Sequence, residues 1–426
     1  MMFLKSLPNR YSYFLKKETN LYDWFISSII YKNSKEVALK QIENALGILI
    51  SENDSLRIRF SFENGELNEF IEESFIVNNY FDVNYIDGIE IKDVKENFEK
   101  RVEAYKREMQ EYSELFKLFV LIDGRGGMYL YFLIHHLTCD LRSYIIIKNR
   151  FFELIDSQTI VDKVLYNKYV ENIFNYWGKE KNFKDNIYDF WIKYYSEKFD
   201  SLGVFDKGCL LEKYSENIEI KISGDLNDSI NRLNSRDLPI LILLSYSNAL
   251  NIWSNGRCIK KQICLVHHGR EYFDNEISGA NLVGWLSQIF PFSLNNNLPV
   301  NTLIKNIREQ LYFMYAYSSS YGFMKYVNKN PLLVNIPEPE ISINIVLDNS
   351  RNGDFFNFKS TGFNVFNKMN PNSKRAFILS SGFYRNKGDF YFSIDYSNKI
   401  YDKESIMLLI SAFEKEFSNL LCKYYV

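Results

Sequence analysis

Tyr131-Phe132-Leu133-Ile134-His135-His136-Leu137-Thr138-Cys139-Asp140 is the stretch from which the fold is read. An apolar, strand-favouring run ends in two imidazoles, and a carboxylate follows four residues after the second. This is the layout of a site that presents a histidine at a strand end and holds its surroundings with an acid. Chance scatter does not produce it: the chain has only four histidines, and they fall as two adjacent pairs, His135-His136 and His267-His268.

Upstream, Leu115 to Asp123 reads as a strand and Gly124-Arg125-Gly126-Gly127 as a turn, so the histidine run forms the second arm of a hairpin with the site at its far end. Before that, Val37 to Ser51 carries apolar residues at helical spacing. In Ser55 to Glu63, Leu56, Ile58 and Phe60 alternate with Arg57 and Arg59, which predicts a half-buried strand. Val94 to Met109 is a charged helix. Downstream, Ser143 to Ile155 is helical, Tyr166 to Phe199 reads as helices, and Ser201 to Glu216 has no clear period; this middle region is taken as the crossing between two lobes. The second half repeats the alternation, with a helix at Pro239 to Trp253, strands at Gln262 to Val266, Ile341 to Leu347 and Asp389 to Asp395, and a closing helix from Lys403 to Tyr424.

At 426 residues and 46% apolar content the chain can fill two cores of ordinary size. Lys plus Arg (51) nearly cancel Asp plus Glu (53), which leaves no strong field for gathering polyanions and argues against nucleic acid as a partner. Five cysteines without a C-x-x-C pair predict free thiols in a reducing compartment. The N-terminal MMFLKSLPNRYSYFLKK is too basic and broken for a secretory signal. The longest apolar runs, such as Leu238 to Leu244, fall far short of the roughly 20 residues that span a bilayer. The expectation is a cytoplasmic protein with no membrane contact.

The stretch HHLTCDLRSY from His135 resembles the HHxxxDG signature of nonribosomal peptide synthetase condensation domains, of the related epimerisation domains and of chloramphenicol acetyltransferase-like acyltransferases. Other segments add to the resemblance in the right order: ENDSLRIRF (Glu52 to Phe60), FWIKYY (Phe190 to Tyr195), HHGREYF, NLVGWLSQIFPFSL, YGFMKYV and ISINIVL. The resemblance implies an α/β fold of two chloramphenicol acetyltransferase-like lobes in a V-shaped pseudo-dimer, with a tunnel between them. Residues 1–165 would form the N-terminal lobe, and 166–426 a linker plus the C-terminal lobe. It implies no cofactor bound by the protein itself. The substrate would arrive on the 4′-phosphopantetheine arm of an acyl or peptidyl carrier protein, to meet an amine co-substrate in a monomeric enzyme.

Carried over residue by residue, the resemblance makes His136 the catalytic group, with His135 and Asp140 in support and Arg270 as the partner of Asp140. His268, Trp285, Ser287, Gln288 and Asn344 would line the tunnel, although Trp285 reads equally as core. Apart from the resemblance, His135-His136 reads as a packing pair. His267 replaces a glycine of the related motif and is expected to point to solvent. Asp140 beside Cys139 should raise its thiol pKa and leave it inert. Four histidines with no acidic ligand set argue against a metal.

Two departures bear on subtype. LVHHGRE (Leu265 to Glu271) and VGWLSQIFPFSL are closer to epimerisation domains, yet Val266 stands where those carry an acid, and two-base proton exchange then lacks one of its groups. Leu141 replaces the glycine after the motif aspartate; were that position left-handed, a leucine there would cost about 1 kcal/mol or more. Three readings follow: an amide- or ester-forming condensation domain, stand-alone or cut from a larger synthetase; an epimerisation-type domain; and a non-catalytic docking or recruitment domain. The first needs little chemistry. A thioester is already activated, alignment supplies roughly 7 to 11 kcal/mol of the barrier, and one imidazole suffices to move the proton.

Overall fold

A computed structural model of the chain describes residues 2–10, 25–26, 28–63, 66–87, 90–157, 159–161, 165–177, 185–195, 198–203, 205–222, 224–234, 236–270, 279–347, 355, 357–364, 370–386 and 388–424. In chain order the strands are β1 (Met2–Leu4), β2 (Phe25–Ile26), β3 (Ile29–Asn33), β4 (Ile58–Glu63), β5 (Glu66–Ile71), β6 (Phe81–Ile86), β7 (Phe116–Asp123), β8 (Met128–His135), β9 (Ser215–Lys221), β10 (Lys260–His267), β11 (Gln288–Asn295), β12 (Ile341–Val346), β13 (Phe358–Asn364), β14 (Leu379–Asn386) and β15 (Asp389–Ser397). The helices are α1 (Leu39–Glu52), α2 (Ile91–Glu108), α3 (Leu141–Ser157), α4 (Tyr166–Trp177), α5 (Asp185–Tyr195), α6 (Gly224–Arg232), α7 (Asp237–Trp253), α8 (Val300–Gly322), α9 (Pro331–Val334) and α10 (Lys403–Tyr424).

Two lobes form, each around a six-stranded mixed sheet. The first has the order β13-β3-β8-β7-β6, with β2 also on β8; the second has the order β11-β10-β12-β14-β15-β9. A three-stranded sheet, β1-β5-β4, lies beside them. The α/β class and the two-lobed arrangement read from the sequence are those of the structure.

The predicted hairpin is β7 and β8, antiparallel with Ile122 opposite Met128. All eight residues of β8 are buried, which is why its sequence is a continuous apolar run and not an alternation. Its two faces serve different cores. Met128, Leu130, Phe132 and Ile134 pack with residues of α1 and α3. Tyr129, Tyr131 and Leu133 belong to the larger core that continues through α4 and α5 into the second lobe. Burying a side chain of this size is worth about 1.5–3 kcal/mol, so β8 is anchored on both sides before it delivers its histidines.

The structure departs from the sequence expectation at Ser55 to Glu63. Asp54–Arg57 is a 3-10 turn, and the strand begins only at Ile58. Arg59 does not face solvent: it is buried, pairs with Glu72 at 2.7 Å and donates to the Tyr80 hydroxyl at 2.8 Å. A satisfied buried arginine mimics an exposed one in the alternation. The turn has its own task, because the Asp54 carboxylate accepts the N–H groups of Tyr166 and Asn167 and so caps α4 from far away in sequence. The aperiodic stretch Ser201 to Glu216 contains two 3-10 turns and the start of β9. In addition, β13 from the second half of the chain joins the first lobe's sheet, with Phe358 opposite Asn33.

Candidate active site

The end of β8 decides where the first histidine pair points. His135 is fully buried; its N–H donates to Leu115 O at 2.7 Å and its ring meets Phe25 edge-on at 5.0 Å. The chain then folds back on itself. Leu137 N–H donates to His135 Nδ1 at 3.1 Å, and the Thr138 N–H and hydroxyl both donate to His135 O. This turn leaves His136 half-buried, with its ring edge-on to Trp285 at 5.1 Å between centroids. His136 stands on the first lobe and Trp285 on the segment that leads into β11 of the second, so the imidazole lies where the lobes meet.

Asp140 begins α3 as its N-cap, accepting Ser143 N–H at 2.8 Å. Its carboxylate also takes two hydrogen bonds from Arg270, at 2.8 and 2.9 Å, and the N–H groups of Leu286 and Ser287, both at 3.1 Å. Burial alone would push this carboxyl up, but Arg270 and the bonds from Ser143 hold it below the usual carboxylate range. Arg270 further donates to Ser143 Oγ and to the carbonyls of His268 and Leu282, while the Ser143 hydroxyl donates to Gly284 O. One buried charge pair thus fixes the turn after β8 and the segment before β11 together.

Leu141 is the first residue of α3 and has no left-handed backbone. The strain expected there is absent, because a right-handed helical start accepts leucine as well as glycine. Gly269 is the position that needs its glycine: φ is +65°, and a Cβ would lie 1.8 Å from Leu286 O.

The second histidine pair divides in the opposite sense from the expectation. His267 does not point to solvent; it is 4% exposed, its Nδ1 lies 3.1 Å from Ser318 Oγ, and burial pushes its pKa down to about 3. His268 is exposed, with Nδ1 accepting Arg270 N–H at 3.0 Å. Trp285 is buried and donates from Nε1 to Ser287 Oγ at 2.9 Å, and the Gln288 side chain turns back to Leu286 O. His136, Asp140, Arg270, Trp285 and Ser287 therefore form one cluster. Asn344 stands exposed on β12 and, among the described residues, makes no hydrogen bond to it. Cys139 is buried, and its thiol is pushed up by that burial and by Asp140. Among the described residues no group of three or more His, Cys, Asp or Glu is placed to hold a metal. No described helix is long and apolar enough to cross a membrane.

Sequence reading missed Arg10. Its buried guanidinium donates to Trp285 O at 2.7 Å, Leu137 O at 3.1 Å and the Tyr166 hydroxyl at 2.6 Å, pairs with Glu69 at 3.2 Å, and lies over the Trp285 ring. Asn9 adds bonds to the Trp285 and Ser287 carbonyls. Those partners are up to 278 residues away, and nothing local in Pro-Asn-Arg announces them.

The model of one family, the Condensation domain, matches residues 3–422. Gramicidin S synthase 1 of Brevibacillus brevis is 21% identical over 450 residues, covering 97% of this chain and 39% of that protein. The chain thus spans well under half the length of that relative. Among solved structures, the epimerization domain from the third module of tyrocidine synthetase B superposes with a TM-score of 0.83 at 16% identity, over 99% of this chain and 98% of that one. The condensation domain from Monacolin K polyketide synthase does so with a TM-score of 0.72 at 11% identity, again over 99% and 98%.

Proposed function

The chain belongs to the condensation-domain family, and from that premise we propose that it joins an acyl or aminoacyl group to an amine acceptor. The acyl group is presented as a thioester on the 4′-phosphopantetheine arm of a carrier protein; the product is an amide, or an ester where the acceptor is a hydroxyl. The observation that carries this reading is the half-buried His136 ring at the junction of the lobes, backed by Trp285 and set on a turn that Asp140, Arg270 and Arg10 hold rigid.

The amine nitrogen adds to the thioester carbonyl carbon, forming the C–N bond and a tetrahedral oxyanion. Collapse breaks the C–S bond. His136 takes the proton that nitrogen loses and returns it to the departing sulfur, which leaves as the pantetheine thiol. An imidazole can both accept and donate a proton, which suits both transfers, and such a group is worth about 10²- to 10⁴-fold. Asp140 is not the base, since its oxygens are occupied by Arg270 and three backbone N–H groups. Its role is to hold the turn. His135, sealed against Phe25, supports it from below.

A second reading, epimerisation of a carrier-bound aminoacyl group, is favoured by the likeness to the epimerization domain in fold. It is opposed by Val266, an apolar side chain where a second acid or base is needed. Incubating the protein with acyl-loaded carrier and candidate amines, then weighing the products, separates the readings. A new amide supports condensation, and solvent deuterium entering the α-carbon supports epimerisation. Tight carrier binding with neither product would favour a docking or recruitment role.

A further inference from the structure

The second lobe contains a cavity of about 560 Å³ that shares no lining residue with the His136 cluster. That volume is within the range of small-molecule sites. Trp191, Tyr195, Phe199, Leu333, Ile336 and Pro339 give it apolar walls. Gln262, on β10, also lines it. This position is five residues before His267, hence roughly 17 Å along the strand from the histidine end.

Two features suit the cavity to a ligand. Gln262 is only 9% exposed, and its Nε2 is buried with no hydrogen-bond partner. Buried amides are nearly always paired, so this covered donor on a lining residue is one that a half-turn of the amide would offer to an acceptor in the cavity. Charge at the cavity is also one-sided. Three acids, Asp200, Glu338 and Glu340, face a single lining cation, the exposed Lys198. Glu338 is neutralised by Lys325 at 2.8 Å. Asp200 is held by the N–H groups of Ile259 and Lys260, and Glu340 by the Ser201 hydroxyl and Leu202 N–H; among the described residues neither forms an ion pair with a lysine or arginine, and the buried Lys261 ammonium, bonded to Ser247 O at 3.1 Å, acts on Asp200 only through space. Carboxylates fixed in this way keep acceptor capacity and repel anions.

We propose that this cavity binds an apolar amine bearing a carbonyl: the hydrocarbon body lies among Trp191, Tyr195 and Phe199, Gln262 donates to the carbonyl oxygen, and Asp200 and Glu340 meet the ammonium. An aminoacyl amide with an aromatic side chain has this chemistry. The site is separate from the acyl-transfer centre and does not depend on it.

Phenylalanine 2-naphthylamide is a suitable probe, measured by calorimetry with the full chain. The wild type binds it at one saturable site, and the N-acetylated probe binds more weakly because its charge is gone. Gln262→Leu, which removes the amide at nearly constant volume, weakens binding about tenfold, the scale of one buried hydrogen bond. Ile336→Trp, which fills the cavity from a partly exposed position, weakens it by at least as much. His136→Ala leaves it unchanged. Melting of each variant without probe verifies that it is folded, and Ile336→Trp carries the test should Gln262→Leu not fold. No saturable binding at millimolar probe, undiminished binding in the folded cavity variants, or loss only in His136→Ala would overturn the proposal.

Discussion

The Asp140 carboxylate and the Arg270 guanidinium, 130 residues apart in the chain, meet in two hydrogen bonds of 2.8 and 2.9 Å with both side chains buried. The pair ties the turn that carries His136 to the segment that carries Trp285. Removing one partner strands the other charge in a dry interior. Arg270→Ala should therefore lower unfolding stability by about 3–5 kcal/mol, measured by urea denaturation. A loss under about 1 kcal/mol would mean that water already screens the pair.

Leu141→Gly should destabilise the protein by about 0.5–1 kcal/mol, because position 141 is helical and glycine costs more chain entropy there. The motif comparison alone predicts the reverse. A stabilised glycine variant in thermal melts would show that the leucine is strained after all.

How much of this was legible in the sequence depends on whether the information was local. The β7–β8 hairpin, the closing helix and the His136, Asp140 and Arg270 cluster were readable because periodicity, a glycine-rich turn and a motif each mark their own position. Arg59 was misread because alternation cannot tell a solvated arginine from one satisfied by Glu72 and Tyr80. His267 was misread for a similar reason, since one imidazole suits solvent and an apolar pocket alike. Arg10 and β13 were illegible: each acts on partners hundreds of residues away, chosen by the tertiary fold. Leu141 taught a different lesson, that a motif glycine need not occupy a glycine-only conformation.

Gly269→Ala should cost about 2 kcal/mol or more, since it combines a left-handed φ of +65° with a Cβ placed 1.8 Å from Leu286 O. Chemical denaturation measures the loss. The neighbouring Arg270 should shift with the backbone, so acyl-transfer activity should fall alongside stability. A variant with wild-type stability would contradict the close approach of these two backbone segments.

His267 ties stability to pH. Its folded pKa is about 3, below the unfolded value near ~6.5, so its contribution is complete above that unfolded value and is lost as pH falls toward 3. The unfolded chain binds the extra proton, and stability falls by about 2 kcal/mol between pH 7 and pH 5 through this group alone. His267→Gln should remove that share of the acid sensitivity, read as the difference between variant and wild-type stability at the two pH values. Identical acid sensitivity in both proteins would mean that the ring protonates freely in the folded state.

The account rests on His136 as the group that moves the proton of acyl transfer, and its substitution is the most direct test. His136→Ala should lower amide formation from an acyl-loaded carrier at least about 100-fold under single-turnover conditions, with melting temperature and carrier binding unchanged. Turnover within a few-fold of wild type in that folded variant would contradict it.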